Sequence, residues 1–213
     1  MKRILISVFF IVAFLNAKAS FLLIPMDDTQ KNHLKAYGIA YFALQNNLDV
    51  KWLLNYKGGS FLFGNTTTLE KECAIRGVTS QIIADAQANA IITEISNPEV
   101  NMDVIKLEVA PKIAVYSPKN KLPWDDAVTM VLKYAEIPYD VVYDEEVIQG
   151  KLPLYDWLHL HHEDFTGQYG KFFGNYRNTP WYIKKKADSE ALAKKLGYNK
   201  VSDRAQSIVI GVN

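Results

Sequence analysis

PKIAVYSPKNKLPWDDAVTMVLKYAEIPYDVVYDEE, Pro111–Glu146, is the stretch on which the fold turns. Lys112–Ser117 is short, β-branched and aromatic, and Ser117-Pro118-Lys119-Asn120 breaks it, the pattern of a strand running into a loop. Trp124, Val128, Val131, Leu132 and Ala135 then recur at helical spacing. Asp125 and Asp126 stand in the first turn of that helix, where carboxylates suit the positive end of its dipole. Ile137-Pro138 ends the helix, DVVYD is the next strand, and Leu152–His162 carries a third. Strand, helix, strand, short link and strand is the grammar of a parallel sheet with crossover connections, so the predicted class is layered α/β with a mostly parallel sheet.

Upstream, the same class is expected on a smaller scale. Phe21–Pro25 is a short apolar run, with Asp27, Asp28 and Thr29 as candidate helix caps. Leu34, Tyr37, Tyr41 and Leu44 mark one face of the helix that follows. VKWLL and SFLF flank Asn55-Tyr56-Lys57-Gly58-Gly59, a hairpin turn whose glycines supply positive φ. Helices are predicted around Leu69–Arg76, closing at Gly77, and around Ser80–Ala90, with SNPEVNMD as a polar connector. Near the C-terminus, Asp188 or Ser189 caps a predicted helix to Leu196, Gly197 stops it, and SIVIGVN reads as a strand. The expected divisions are 1–19, 20–110 and 111–213.

Residues 1–19 read as an export signal. Lys2 and Arg3 precede an apolar run from Ile4 to Leu15, and Ala17-Lys18-Ala19 offers the small residues of a cleavage site. The run is short for a bilayer span, so the expectation is a periplasmic or extracellular protein with no stable membrane insertion after cleavage. With 24 basic and 23 acidic residues there is no basic stripe to hold nucleic acid. Cys73 is the single cysteine, which excludes an intramolecular disulfide and reads as a buried thiol. No phosphate loop follows Gly58-Gly59, and no G-x-S-x-G elbow occurs, so no cofactor is expected.

Ligands of open parallel sheets bind outside the carboxyl ends of the strands. That places Ser117 after the first strand, Asp144 and Glu145 after the second, and His161, His162, Glu163 and Asp164 after the third. These seven form the candidate ligand edge, for a small molecule, a glycan or a peptide. The aromatic run of Tyr169, Phe172, Phe173, Tyr176, Trp181 and Tyr182 reads as cover for a sheet edge or as a stacking platform. In WLHLHHEDF, His159 and His161 share one face of an extended strand, so with Glu163 or Asp164 they are also a candidate metal set. A zinc site needs a further ligand, and the remaining histidine is His33. An imidazole at the edge also suits acid–base work.

The strings LLIPMDDTQKNHLKAYGIAY, WLLNYKGGSFL, NMDVIKLEVAPKIAVYSPKNKLPWDDAVT, AEIPYDVVYDEEV and LPLYDWLHLHHEDFTGQYGKF resemble a family of exported Bacteroidetes-type proteins commonly labelled asparagine synthetase B. The likeness spans Phe21 to Tyr182. It implies a flavodoxin-like, class I glutamine amidotransferase-like domain in the later part of the chain. Members of the family continue through a glycine-rich strand and turn with a nucleophilic cysteine. No residue here matches that cysteine, so the resemblance implies a chain that is either truncated or diverged at its C-terminus and supplies no catalytic residue. The asparagine synthetase label implies ATP chemistry and a processed N-terminal cysteine. This sequence has neither a pyrophosphate loop nor a cysteine there, and Ser20 would be the new N-terminal residue after cleavage. The expected function is a binding or accessory module. The alternatives are an amidohydrolase or amidotransferase-type enzyme and a histidine-based metal-binding protein.

Overall fold

The computed structural model describes residues 20–118, 126–160 and 174–205. The chain is α/β and divides into two compact units. The first runs to Ala110 and takes in Tyr134–Ile137; the second comprises Pro111–Lys133 and the chain from Pro138 onward.

The first unit is built on β1 (Ser20–Ile24), α1 (His33–Gln45), β2 (Val50–Leu54), β3 (Ser60–Gly64), α2 (Thr67–Arg76), β4 (Gln81–Ala84), α3 (Asp85–Ile95) and β5 (Asp103–Leu107). Its sheet has the order β4-β1-β3-β2-β5, and every neighbouring pair is antiparallel. The run β1-α1-β2-β3-α2-β4 with β3 inserted between β1 and β2 is the split βαβ arrangement of ferredoxin-like sheets. The expectation of a mostly parallel sheet therefore does not hold here. The turn between β2 and β3 is too tight for anything but an antiparallel pair, with Gly58 at φ 79° and Gly59 at φ 95°.

Both faces of this sheet are covered, which is why its inner strands read as unbroken apolar runs. Leu22, Ile24, Phe61 and Phe63 pack with Ala36, Ile39 and Ala43 of α1 and Leu69 and Cys73 of α2. Leu23, Leu53 and Leu62 point to the opposite face, against Ala88, Ile91 and Ile95 of α3. Each of the Leu, Ile and Phe side chains contributes about 1.5–3 kcal/mol by leaving water.

Local signals were redistributed by this packing. Asn32, and none of Asp27–Thr29, caps α1, accepting from the Lys35 amide at 3.2 Å. Asp27 instead accepts from the Thr29 amide at 3.1 Å and holds the loop. Gln81–Ala84, expected as helix, is β4, paired with β1, and the helix begins only at Asp85. The connector after Ser96 leads into β5, an edge strand on β2 that the sequence reading missed. Cys73 is buried in α2, and Gly77 at φ 68° closes that helix, with the Val78 amide donating to the Cys73 carbonyl at 2.8 Å.

The second unit contains β6 (Ile113–Tyr116), α4 (Ala127–Tyr134, of which Tyr134 groups with the first unit), β7 (Asp140–Val142), α5 (Asp144–Ile148), β8 (Trp157–Leu160) and α6 (Pro180–Lys195), with a further helical turn at 201–205. β6 lies between β7 and β8 and is parallel to both. Ile113, Ala114 and Val115 are all buried, as befits a central parallel strand. The third strand is shorter than expected, because Leu152–Leu154 form a 3-10 turn and pairing starts at Trp157. α6 starts at Pro180, a residue favoured in the first turn, and Asp188 sits within it, pairing with Lys184 at 2.9 Å. SIVIGVN lies outside the described residues.

Candidate functional site

The carboxyl ends of β6, β7 and β8 hold charged and polar groups on both faces of the parallel sheet. Successive side chains of a strand alternate between faces. Val115 and His159 are register partners on one face, and Tyr116, Val142 and Leu160 on the other.

On the first face, His159 Nε2 lies 2.9 Å from Asp126 Oδ2. The same carboxylate accepts from the Val128 amide through Oδ1 at 3.0 Å, at the entrance of α4. Thr129 Oγ1 donates to the Asp126 carbonyl at 3.1 Å. Asp126 thus both starts the helix and fixes the imidazole, and its side chain is only 7 % exposed. An ionised carboxylate can only accept, so Nε2 carries the proton. In the neutral ring Nδ1 is then the basic nitrogen, and no described residue bonds to it.

On the second face, the Tyr116 hydroxyl donates to Asp144 Oδ1, and the Arg204 guanidinium pairs with Asp144 Oδ2. Asp144 and Arg204 are both buried. Asp144 lies in the first turn of α5, where Glu146 Oε2 accepts from the Tyr143 amide at 3.0 Å. Among the described residues, none bonds to the buried Nε of Arg204.

Of the candidate ligand edge, Ser117 is buried at the end of β6, and its amide donates to the Val142 carbonyl at 3.0 Å. Asp144 is taken up by Tyr116 and Arg204, which leaves its carboxylate a structural anchor. Glu145 is half-buried in the first turn of α5. His161, His162, Glu163 and Asp164 lie outside the described residues, as do Tyr169, Phe172 and Phe173. Of the candidate metal set only His159 is described, and its Nε2 is committed to Asp126. His33 is committed as well: Nε2 donates to the Met26 carbonyl at 3.1 Å, with the Asp27 carbonyl at 3.2 Å. Among the described residues no group of three His, Cys, Asp or Glu side chains is placed to hold a metal ion. Nor is any described helix long and apolar enough to cross a membrane.

Sequence reasoning missed the site roles of Asp126, Tyr116 and Arg204. Asp126 carried a usable signal, an aspartate immediately before a helical run. Arg204 carried none, because its partner is distant in sequence.

The second unit is thereby defined as a parallel α/β layer with buried charge at its strand ends. Compared with protein-family models, curated proteins and solved structures, the chain matches none.

Proposed function

We propose that this chain is an exported ligand-binding or accessory module whose second unit is flavodoxin-like, of the class I glutamine amidotransferase-like kind. It takes a small polar molecule, a glycan fragment or a peptide in the crevice outside the carboxyl ends of β6 and β8. One observation carries the reading: the order β7-β6-β8. The chain steps from β6 to β7 on one side and returns to β8 on the other, so the strand order reverses between β6 and β8. Such a switch point opens a crevice between them, where doubly wound sheets bind ligands. Ser117, Asp126 and His159 belong to its walls, and His161–Asp164 follow directly on β8. Asp144 and Glu145 follow β7 and lie off this crevice. Export rests on Lys2–Ala19 and is read from the N-terminal residue of the mature protein.

The test is a thermal-shift and calorimetric screen of amino acids, their amides, monosaccharides and short peptides against the full chain. A hit should be weakened at least about tenfold by the paired change His161→Ala and His162→Ala. The thermal midpoint should move by no more than about 4 °C, as for a surface change. Collapse of the fold in that variant would make the histidines core residues and end the proposal.

A second reading is favoured by the Asp126–His159 pair. A carboxylate holding Nε2–H leaves Nδ1 as a positioned base, an arrangement suited to activating water for hydrolysis of an amide. Ammonia release from glutamine or asparagine, sustained over many turnovers and lost in His159→Ala, would favour an amidohydrolase over a binding module.

A further inference from the structure

The C-terminal part of the second unit holds a cavity that lies apart from the strand-end crevice. It has a volume of about 570 Å³ and is walled by one stripe of α6 and by residues 199–202. Tyr182, Lys186, Ser189 and Ala193 recur at helical spacing along that stripe, and Lys185, Glu190 and Lys194 flank it. Lys200 and Ser202 face them from the other wall. Four lysines therefore surround the space against one glutamate, in a chain whose formal net charge is only +1. Glu190 stands 3.9 Å from Lys186. No carboxylate among the described residues pairs with Lys194 or Lys200.

We infer that this cavity is a binding site for a small, multiply charged anion, of the phosphate or polycarboxylate class. Three observations converge on it. The volume falls in the range of small-molecule pockets. Lys194 and Lys200 stand here without a described counter-charge, and a ligand bearing several negative charges supplies one. Ser189, Ser202 and the Asn199 amide add uncharged donors, while Tyr182 and Ala193 give one side an apolar body. The cavity is also fixed to the fold. Arg204, two residues beyond Ser202, is pinned to Asp144 in the helix after β7, which holds the 201–205 turn and the wall it carries.

The experiment uses the full chain with inorganic tripolyphosphate and, separately, citrate as probes, followed by calorimetry at about 20 mM and about 150 mM salt. Saturable binding that weakens with salt is expected. Replacing Lys194 and Lys200 together by alanine should weaken it about tenfold or more, whereas Lys184→Ala, which alters charge outside the cavity, should leave it within about twofold. Lysine acylation footprinting gives an independent reading: tripolyphosphate should protect Lys194 and Lys200 and leave Lys184 reactive. Absence of saturable binding, equal loss in the Lys184→Ala control, or protection spread evenly over all lysines would each overturn the assignment. His159→Ala should not affect this binding, so failure here and failure of the strand-end crevice are separate results.

Discussion

Among the described residues of the first unit, Gln30 and Ser60 are the buried polar residues and both are neutral; the charged exception is Arg76, whose side chain is 8 % exposed and pairs with Glu72 and Glu136. Gln30 Nε2 donates to the carbonyls of Pro25 and Thr79, and Oε1 accepts from the amides of Thr79 and Asn32. Ser60 Oγ donates to the Tyr56 carbonyl at 2.9 Å. In the second unit the buried polar side chains are Ser117, Asp126, Thr129, Asp144 and Arg204, three of which carry charge. Neutral side chains bonded to main chain tie loops together at little desolvation cost. Buried charges are different, because an apolar pair of similar volume is often as stable or more so. The first unit thus reads as a region optimised for packing. The second keeps expensive groups at one end of its sheet.

The comparison can be broken most sharply at Asp144. Asp144→Ala leaves the Arg204 guanidinium buried without its partner, which should cost about 3–5 kcal/mol in urea unfolding. Adding Arg204→Met should recover most of that loss, because the double change removes both charges. Failure of the double variant to recover would mean that the pair itself stabilises the second unit.

Gln30→Ala is the matching test in the first unit. It removes the bridge between the loop after β1 and the Thr79 backbone, and should cost about 1–3 kcal/mol by the same unfolding measurement. A loss equal to that of Asp144→Ala would erase the distinction between neutral and charged burial.

Gly38→Ala tests how far packing governs the first unit. Alanine ordinarily favours a helix over glycine by about 1 kcal/mol. At Gly38, however, a Cβ would collide with the Ala135 carbonyl. The close approach should win, making the variant less stable by about 1–3 kcal/mol. A gain in thermal midpoint would show that the contact yields easily.

The smallest effect is expected at Glu136, which pairs with Lys35 at 3.0 Å and Arg76 at 3.4 Å. The hydrogen bond from Lys35 holds its carboxyl below the usual carboxylate value, with Arg76 adding to the effect. A carboxyl that titrates lower in the folded chain than in the unfolded one adds stability at neutral pH. That contribution disappears as the pH falls through the folded value, below 4.5. Glu136 is half exposed, so the contribution is well under about 1 kcal/mol. Stability curves of the parent chain and Glu136→Gln should differ slightly at pH 7 and converge in acid.

Local pattern was a good guide wherever a segment's own chemistry decides its state. The turn at Asn55–Gly59, the stop at Gly77, the burial of Cys73 and the strands β6 and β7 were legible because glycine φ, helix spacing and β-branching act within a few residues. The errors fall where a distant partner decides. Gln81–Ala84 became a strand because β1 offers an open edge, although its isoleucines and alanine fit helical spacing equally well. Asp103–Leu107 reads polar, apolar, apolar, polar, apolar, without the strict alternation of a half-buried strand, and its Asn- and Pro-containing approach masked it further. α6 was expected to start at Asp188, yet Pro180 at its first turn extends it over two further turns.

The sequence by itself determined the α/β class, the tight β2–β3 hairpin and the clustering of polar residues after the predicted strands. Each depends on chemistry between near neighbours. Tertiary structure alone decided that the first sheet is antiparallel, since only folding inserts β3 between β1 and β2. It also decided that β8 returns to the far side of β6, creating the switch point. And it decided the work of the polar residues: Asp126 reaches His159 and Asp144 reaches Arg204 across 33 and 60 positions of chain. Buried charges find partners through the geometry of the folded layers, because an unpaired one is too costly to keep.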